Sequence, residues 1–179
     1  MKLIATPESM TFEAALPLQS GASIRGYSLS YETYGTLNAD KSNAILYPTS
    51  DAAQHDDIQH MVREGGALDP SRHFIIIANL FGNGLSSSPS NTPWPDVGTR
   101  YPDVTCFDAV QVQRRMLQEV WGIDHLALVY GWSMGAMALS QYQASAERAK
   151  LLNREAQVAQ AEDRLNPSEA HLNSRRSRV

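Results

Sequence analysis

Gly131-Trp132-Ser133-Met134-Gly135 places one serine between glycines two residues away on either side, directly after the apolar run His125–Tyr130 and before a stretch of helical composition. This is the spacing of a nucleophile elbow. A serine hydroxyl becomes a useful nucleophile when a sharp strand-to-helix turn pushes it clear of its surroundings. Glycines at the flanking positions remove the Cβ atoms that would collide where strand and helix cross. The N–H of the following residue, Met134, then points toward a developing oxyanion. Three fixed residues are a weak signal alone; the strand-then-helix context gives them weight.

The elements that must hold such a turn are legible upstream. Ile24–Thr33, with Tyr27, Leu29 and Tyr31 alternating, reads as an exposed antiparallel strand, and Ala44–Tyr47 as a second strand. His73–Asn79 is continuously apolar at its centre, as expected of a strand covered on both faces. Asp57–Glu64 suggests a short helix. Thr105 and Asp108 match a capping box, and Phe107, Val110, Leu117 and Val120 or Trp121 recur at helical spacing until Gly122. With His125–Tyr130 as the next strand, the order strand, helix, strand, elbow, helix predicts parallel pairing and an α/β layered domain.

Composition bounds the chemistry. The net charge of −4 and the lack of a basic stripe before the last residues argue against nucleic acid or an anionic membrane as partner. A small-molecule substrate fits better. No apolar run reaches transmembrane length and the N-terminus does not read as a signal peptide, so the expected location is the cytoplasm. The lone Cys106 reads as a small buried hydrophobe. No histidine or cysteine cluster has zinc-site spacing, so no metal is expected. From 144 to 179 the chain turns polar and lacks aromatic residues. It is expected to be an atypical tail, helical over Ala146–Leu165 and then disordered, appended to a domain over 1–143.

Tyr31–Leu46, Gly65–Asn79, Tyr101–Thr105 and Gly131–Gly135, in that order, resemble the homoserine O-acetyltransferase family of the α/β-hydrolase fold over about residues 10–143. The resemblance implies a partial α/β-hydrolase fold, running from the N-terminal strands through the elbow and its helix. It implies acyl transfer from acetyl-CoA or another acyl-CoA to a small-molecule hydroxyl acceptor such as homoserine, in methionine biosynthesis, with no bound cofactor and a homodimeric assembly. Ser133 corresponds to the family nucleophile and the Met134 N–H to one oxyanion donor; the second falls in Thr49-Ser50-Asp51, at the N–H of Ser50 or Asp51. Asp51 stands where relatives carry an apolar or aromatic residue, and its side chain is expected to turn to solvent. Trp132 and Ala136 replace two glycines of the Gly-Gly-Ser-Met-Gly-Gly elbow, which leaves the acceptor open.

Such an enzyme needs a histidine base and an acid after the nucleophile. Only His171 follows Ser133, in the polar tail, where Asp163 is a nominal acid; neither lies in a strand-helix context. His55, His60, His73 and His125 precede the elbow and are expected at surface or loop positions. The chain therefore reads as the nucleophile-bearing N-terminal part of a family member, truncated, with negligible turnover alone. The alternatives are an esterase of the same fold and a non-catalytic chain that acts through association with a partner.

Overall fold

A computed structural model describes residues 6–144 apart from Trp94; burial is described from residue 8. Met1–Tyr142 forms one compact unit; of a second, Gln143–Val179, only residues 143 and 144 are described, both helical. The expected tail helix over Ala146–Leu165 and the stretch after it thus lie outside the described residues.

The described residues form seven strands: β1 (Thr6–Phe12), β2 (Leu16–Pro17), β3 (Ser23–Ile24), β4 (Tyr27–Tyr34), β5 (Ala44–Pro48), β6 (Phe74–Ala78) and β7 (Leu128–Val129). Five form a mixed sheet in the order β1-β4-β6-β5-β7, while β2 and β3 make a small hairpin. β4 runs antiparallel to both β1 and β6, whereas β5 pairs in parallel with β6 and with β7.

The sheet separates two apolar layers. Alternate residues of β5 and β6 face opposite ways: Ala44, Leu46, Phe74, Ile76 and Ala78 join the core beneath helix α2 (Cys106–Trp121), while Ile45, Tyr47, Ile75 and Ile77 pack with Ile58, Val62 and Leu68. Every residue of these two strands is buried, the reason their sequences read as unbroken apolar runs. β4 is antiparallel as predicted but not exposed. β1 covers its outer edge, and Tyr27, Leu29, Tyr31, Glu32 and Tyr34 are all buried. The predicted strand from Ile24 is also broken, because Gly26 takes a left-handed φ of 59° at the turn between β3 and β4.

Helix α1 (His55–Ile58), extended by a 3₁₀ turn at Gln59–Met61, starts two residues before the predicted Asp57 and ends earlier. α2 begins at the predicted cap and stops at Gly122, whose φ is 61°. Its buried face is Val110, Val112, Met116 and Leu117, whereas Phe107 and Val120 are exposed. Cys106, at its first turn, is half-buried rather than buried, and burial raises its thiol pKa, away from an activated thiolate.

Asp108 does more than cap α2. Fully buried, its carboxylate accepts from Thr105 N and Gln19 N, both at 2.8 Å, and from Thr105 Oγ1 at 2.9 Å, tying the loop after β2 to the helix start. Asp108→Ala would leave two backbone donors unpaired. It is expected to lower unfolding free energy by about 2–3 kcal/mol, read from denaturant midpoints at unchanged slope.

Candidate active site

The strand that delivers the elbow is shorter than His125–Tyr130 suggested. Only Leu128 and Val129 pair with β5, opposite Ile45 and Leu46, and the flanking N–H groups of Ala127 and Tyr130 add bonds to Ala44 O and Leu46 O, both at 2.9 Å. The chain then turns through Gly131–Gly135 into a helix described over 134–144. Ser133 sits at the apex with φ of 53°, one of three non-glycine residues at positive φ among the described residues, and its side chain is exposed. Its carbonyl accepts from Ala136 N and Met137 N at 3.0 and 3.2 Å, so the helix starts on Ser133 itself. Met134, as the first helical residue, has an N–H with no carbonyl one turn earlier to bond.

Both glycines are required by contact. A Cβ on Gly131 would lie 2.7 Å from the carbonyl carbon and oxygen of Gly135, and one on Gly135 would lie 2.7 Å from Pro48 O and 3.3 Å from Thr49 O. The second contact also fixes the position of the elbow, setting it against the end of β5 where the other oxyanion donor was expected. There the Thr49 N–H is committed to Ala78 O at 3.0 Å, which removes it as a donor. The N–H groups of Ser50 and Asp51 carry no such bond, and both stay available as donors. Ser50 is buried, while Asp51 is exposed as expected and also borders the cavity beside the elbow.

A web of side-chain amides holds this loop. Asn79, buried at the end of β6, accepts from His55 N at 3.1 Å and Asn83 Nδ2 at 2.9 Å, and donates to Ser30 O and His55 Nδ1, both at 3.0 Å. Asn83 also donates to Ala53 O at 3.0 Å, and Gln54 Nε2 donates to Asn83 O at 3.0 Å. Backbone partners fix which end of the Asn79 amide is which. His55 Nδ1 must therefore accept, and the neutral ring carries its proton on Nε2. None of these roles was visible in the sequence, where Asn79 only closes a strand.

Four of the histidines are described. His55 is buried in α1, contrary to the surface or loop position expected of it, because its ring completes the amide web; His60 and His125 are exposed and His73 is half-buried. His55 also meets Glu32 and Asp56, with potential ligand atoms of all three within 4.8 Å, a grouping that linear spacing concealed. The fixed tautomer points an N–H, not a lone pair, out of Nε2, and Glu32 already accepts from Tyr34 Oη at 2.5 Å, which together with burial pushes the tyrosine pKa up. These residues suit a hydrogen-bonded network better than a cation. Among the described residues no histidine or carboxylate hydrogen-bonds Ser133; His171 and Asp163 lie outside them.

Beside the elbow is a cavity of about 600 Å³ between the β5–α1 loop and Tyr130 and Trp132. Tyr47 and Tyr130 meet edge to face at 5.0 Å on its wall, and burial raises the pKa of the Tyr47 hydroxyl. Trp132 itself is 57 % exposed.

No family model matches the chain. It is 46 % identical over 122 residues to an ethyl acetate hydrolase of Pseudomonas veronii, covering 68 % of this chain and 35 % of that one. It is 40 % identical over 149 residues to a homoserine O-succinyltransferase of Leptothrix cholodnii, covering 74 % and 39 %. Among solved structures, an acetylester hydrolase from Corynebacterium glutamicum superposes with TM-score 0.71 at 42 % identity, over 74 % of this chain and 38 % of that one. A homoserine O-acetyltransferase from Bacillus anthracis does so with TM-score 0.65 at 26 % identity, over 78 % and 43 %. The chain thus spans well under half the length of the curated relatives it matches. Among the described residues no helix is long and apolar enough to cross a membrane. Over the residues it shares with these proteins, the chain belongs to the homoserine O-acetyltransferase family of the α/β-hydrolase fold, as a partial, N-terminal member.

Proposed function

We propose that this chain carries the nucleophile of an acyl-transfer site, in which Ser133 takes an acyl group from a thioester such as acetyl-CoA and passes it to a hydroxyl acceptor. The observation that carries this reading is the left-handed Ser133 between two glycines that have no room for a side chain. Attack of Ser133 Oγ on the acyl carbonyl forms an acyl-serine and releases the thiol. The N–H of Met134, with that of Ser50 or Asp51, stabilises the oxyanion; attack by the acceptor hydroxyl then frees the enzyme. Homoserine is the acceptor that the named acyltransferase relatives suggest. A second reading, with water as acceptor, is favoured by the higher identity to the ester hydrolases.

Incubation with radiolabelled acetyl-CoA, followed by peptide mapping, is expected to place a stable label on Ser133. Multiple turnover should stay negligible, since no described group is positioned to take the serine proton. A folded chain with no label would sink the acyl-enzyme reading. Product formation with homoserine present, set against hydrolysis in water alone, separates the two acceptors.

A further inference from the structure

The cavity beside the elbow carries information about the acyl group. Its walls include Tyr47, Tyr130 and Trp132, and its charged lining is acidic: Asp51 and Asp57, with no lysine or arginine and with His60 as the only basic group. Asp57 is held in place, its Oδ2 accepting from Gln54 N at 2.8 Å as the α1 cap. The cavity is bounded by Trp132 on the elbow and by Ser50 and Asp51, the two candidate oxyanion donors, so a group attached to a carbonyl at Ser133 has it as the adjoining space. A carboxylate placed there would face two like charges with no cationic partner, whereas an uncharged group would meet aromatic surface.

We propose that this cavity is a subsite for uncharged acyl or alkoxy groups, and that its acidic lining turns away carboxylate-bearing groups such as a succinyl chain. The assignment rests on Ser133 being the nucleophile. It separates this chain from those relatives named for succinyl transfer and aligns its donor with short neutral esters or acetyl thioesters.

Two serine-directed fluorophosphonates of equal length, one ending in a methyl group and one in a carboxylate, test it. Each rate of Ser133 modification in the full chain is measured at low salt and about pH 8, and normalised to the probe's own hydrolysis. The neutral probe is expected to react about tenfold faster or more. In the Asp51→Asn/Asp57→Asn form the ratio should fall to within about threefold, and salt at about 0.5 M should narrow it in the parent chain. Asp51→Asn alone, at an exposed turn position, gives a partial effect free of any loss of the α1 cap. Equal rates in the parent chain, or a ratio unchanged in both variants, would overturn the subsite while leaving the nucleophile intact. Failure of both probes to modify Ser133 would overturn the nucleophile and the subsite together.

Discussion

Ser133→Gly is expected to abolish acylation and, in the same step, to make the protein more stable. An L-residue at φ of 53° sits where its Cβ crowds the following carbonyl, at a cost of about 1–2 kcal/mol. Glycine occupies that region freely. The gain, after the greater chain entropy of glycine when unfolded, is expected to be about 1 kcal/mol, or about 2–4 °C in Tm for a chain of this size. Ser133→Ala provides the control. It removes the hydroxyl but keeps the Cβ, so acylation should vanish with little change in Tm. If Ser133→Gly melted below Ser133→Ala, the turn would not be strained and the geometric argument for a nucleophile would lose its basis.

Gly135→Ala should damage both fold and chemistry. The new methyl would stand 2.7 Å from Pro48 O and 3.3 Å from Thr49 O, and the obstructing atoms are backbone at the end of β5, which no side-chain rotation can clear. Separation of the elbow helix from β5 is expected to cost about 2–4 kcal/mol, and Tm to fall by about 5–15 °C. The same displacement would pull the Met134 N–H away from the Ser50–Asp51 loop, and a misplacement near 1 Å lowers rates by about a hundredfold. Gly35→Ala distinguishes the two effects. Gly35, at φ of 78° between β4 and β5, has the carbonyl oxygens of His73 and Pro70 in the space a Cβ would take. Its substitution should destabilise at least as strongly, yet leave Ser133 acylation per folded molecule unchanged. Equal losses of acylation in the two variants would show that Gly135 acts on the chemistry only through global stability.

What could be read in advance follows from how locally each feature is encoded. The elbow is five consecutive residues, the α2 cap is Thr105 with Asp108, and the doubly covered β6 is a single apolar run, so each was legible in a short window. β1 was missed because Thr6–Phe12 mixes polar and apolar residues and earns its place by pairing with β4 across a turn and a small hairpin. β4 seemed exposed because alternation suggests one wet face; its alternate positions include Glu32, buried through its bond to Tyr34. The amide web around Asn79 joins three separated segments, at Ser30, at 53–55 and at 79–83, and no spacing rule connects them. His55 went with it, an ordinary loop histidine until the end of β6 is placed beside it.

Among the described residues β7 has only two paired residues, bonds to β5 alone, and leaves Leu128 43 % exposed, whereas β5 and β6 are enclosed on both faces. Resistance to local opening therefore falls steeply from the centre of the sheet to the strand that mounts the serine. Burial and pairing are greatest where the Thr49–Asp51 loop leaves β5 and least where the Ser133 hydroxyl is presented. On the proposed acyl-transfer reading, the rate of Ser133 acylation is expected to scale with the closed fraction of this short segment, so a contact that protects the β7 amides from exchange should speed acylation without touching the reacting atoms.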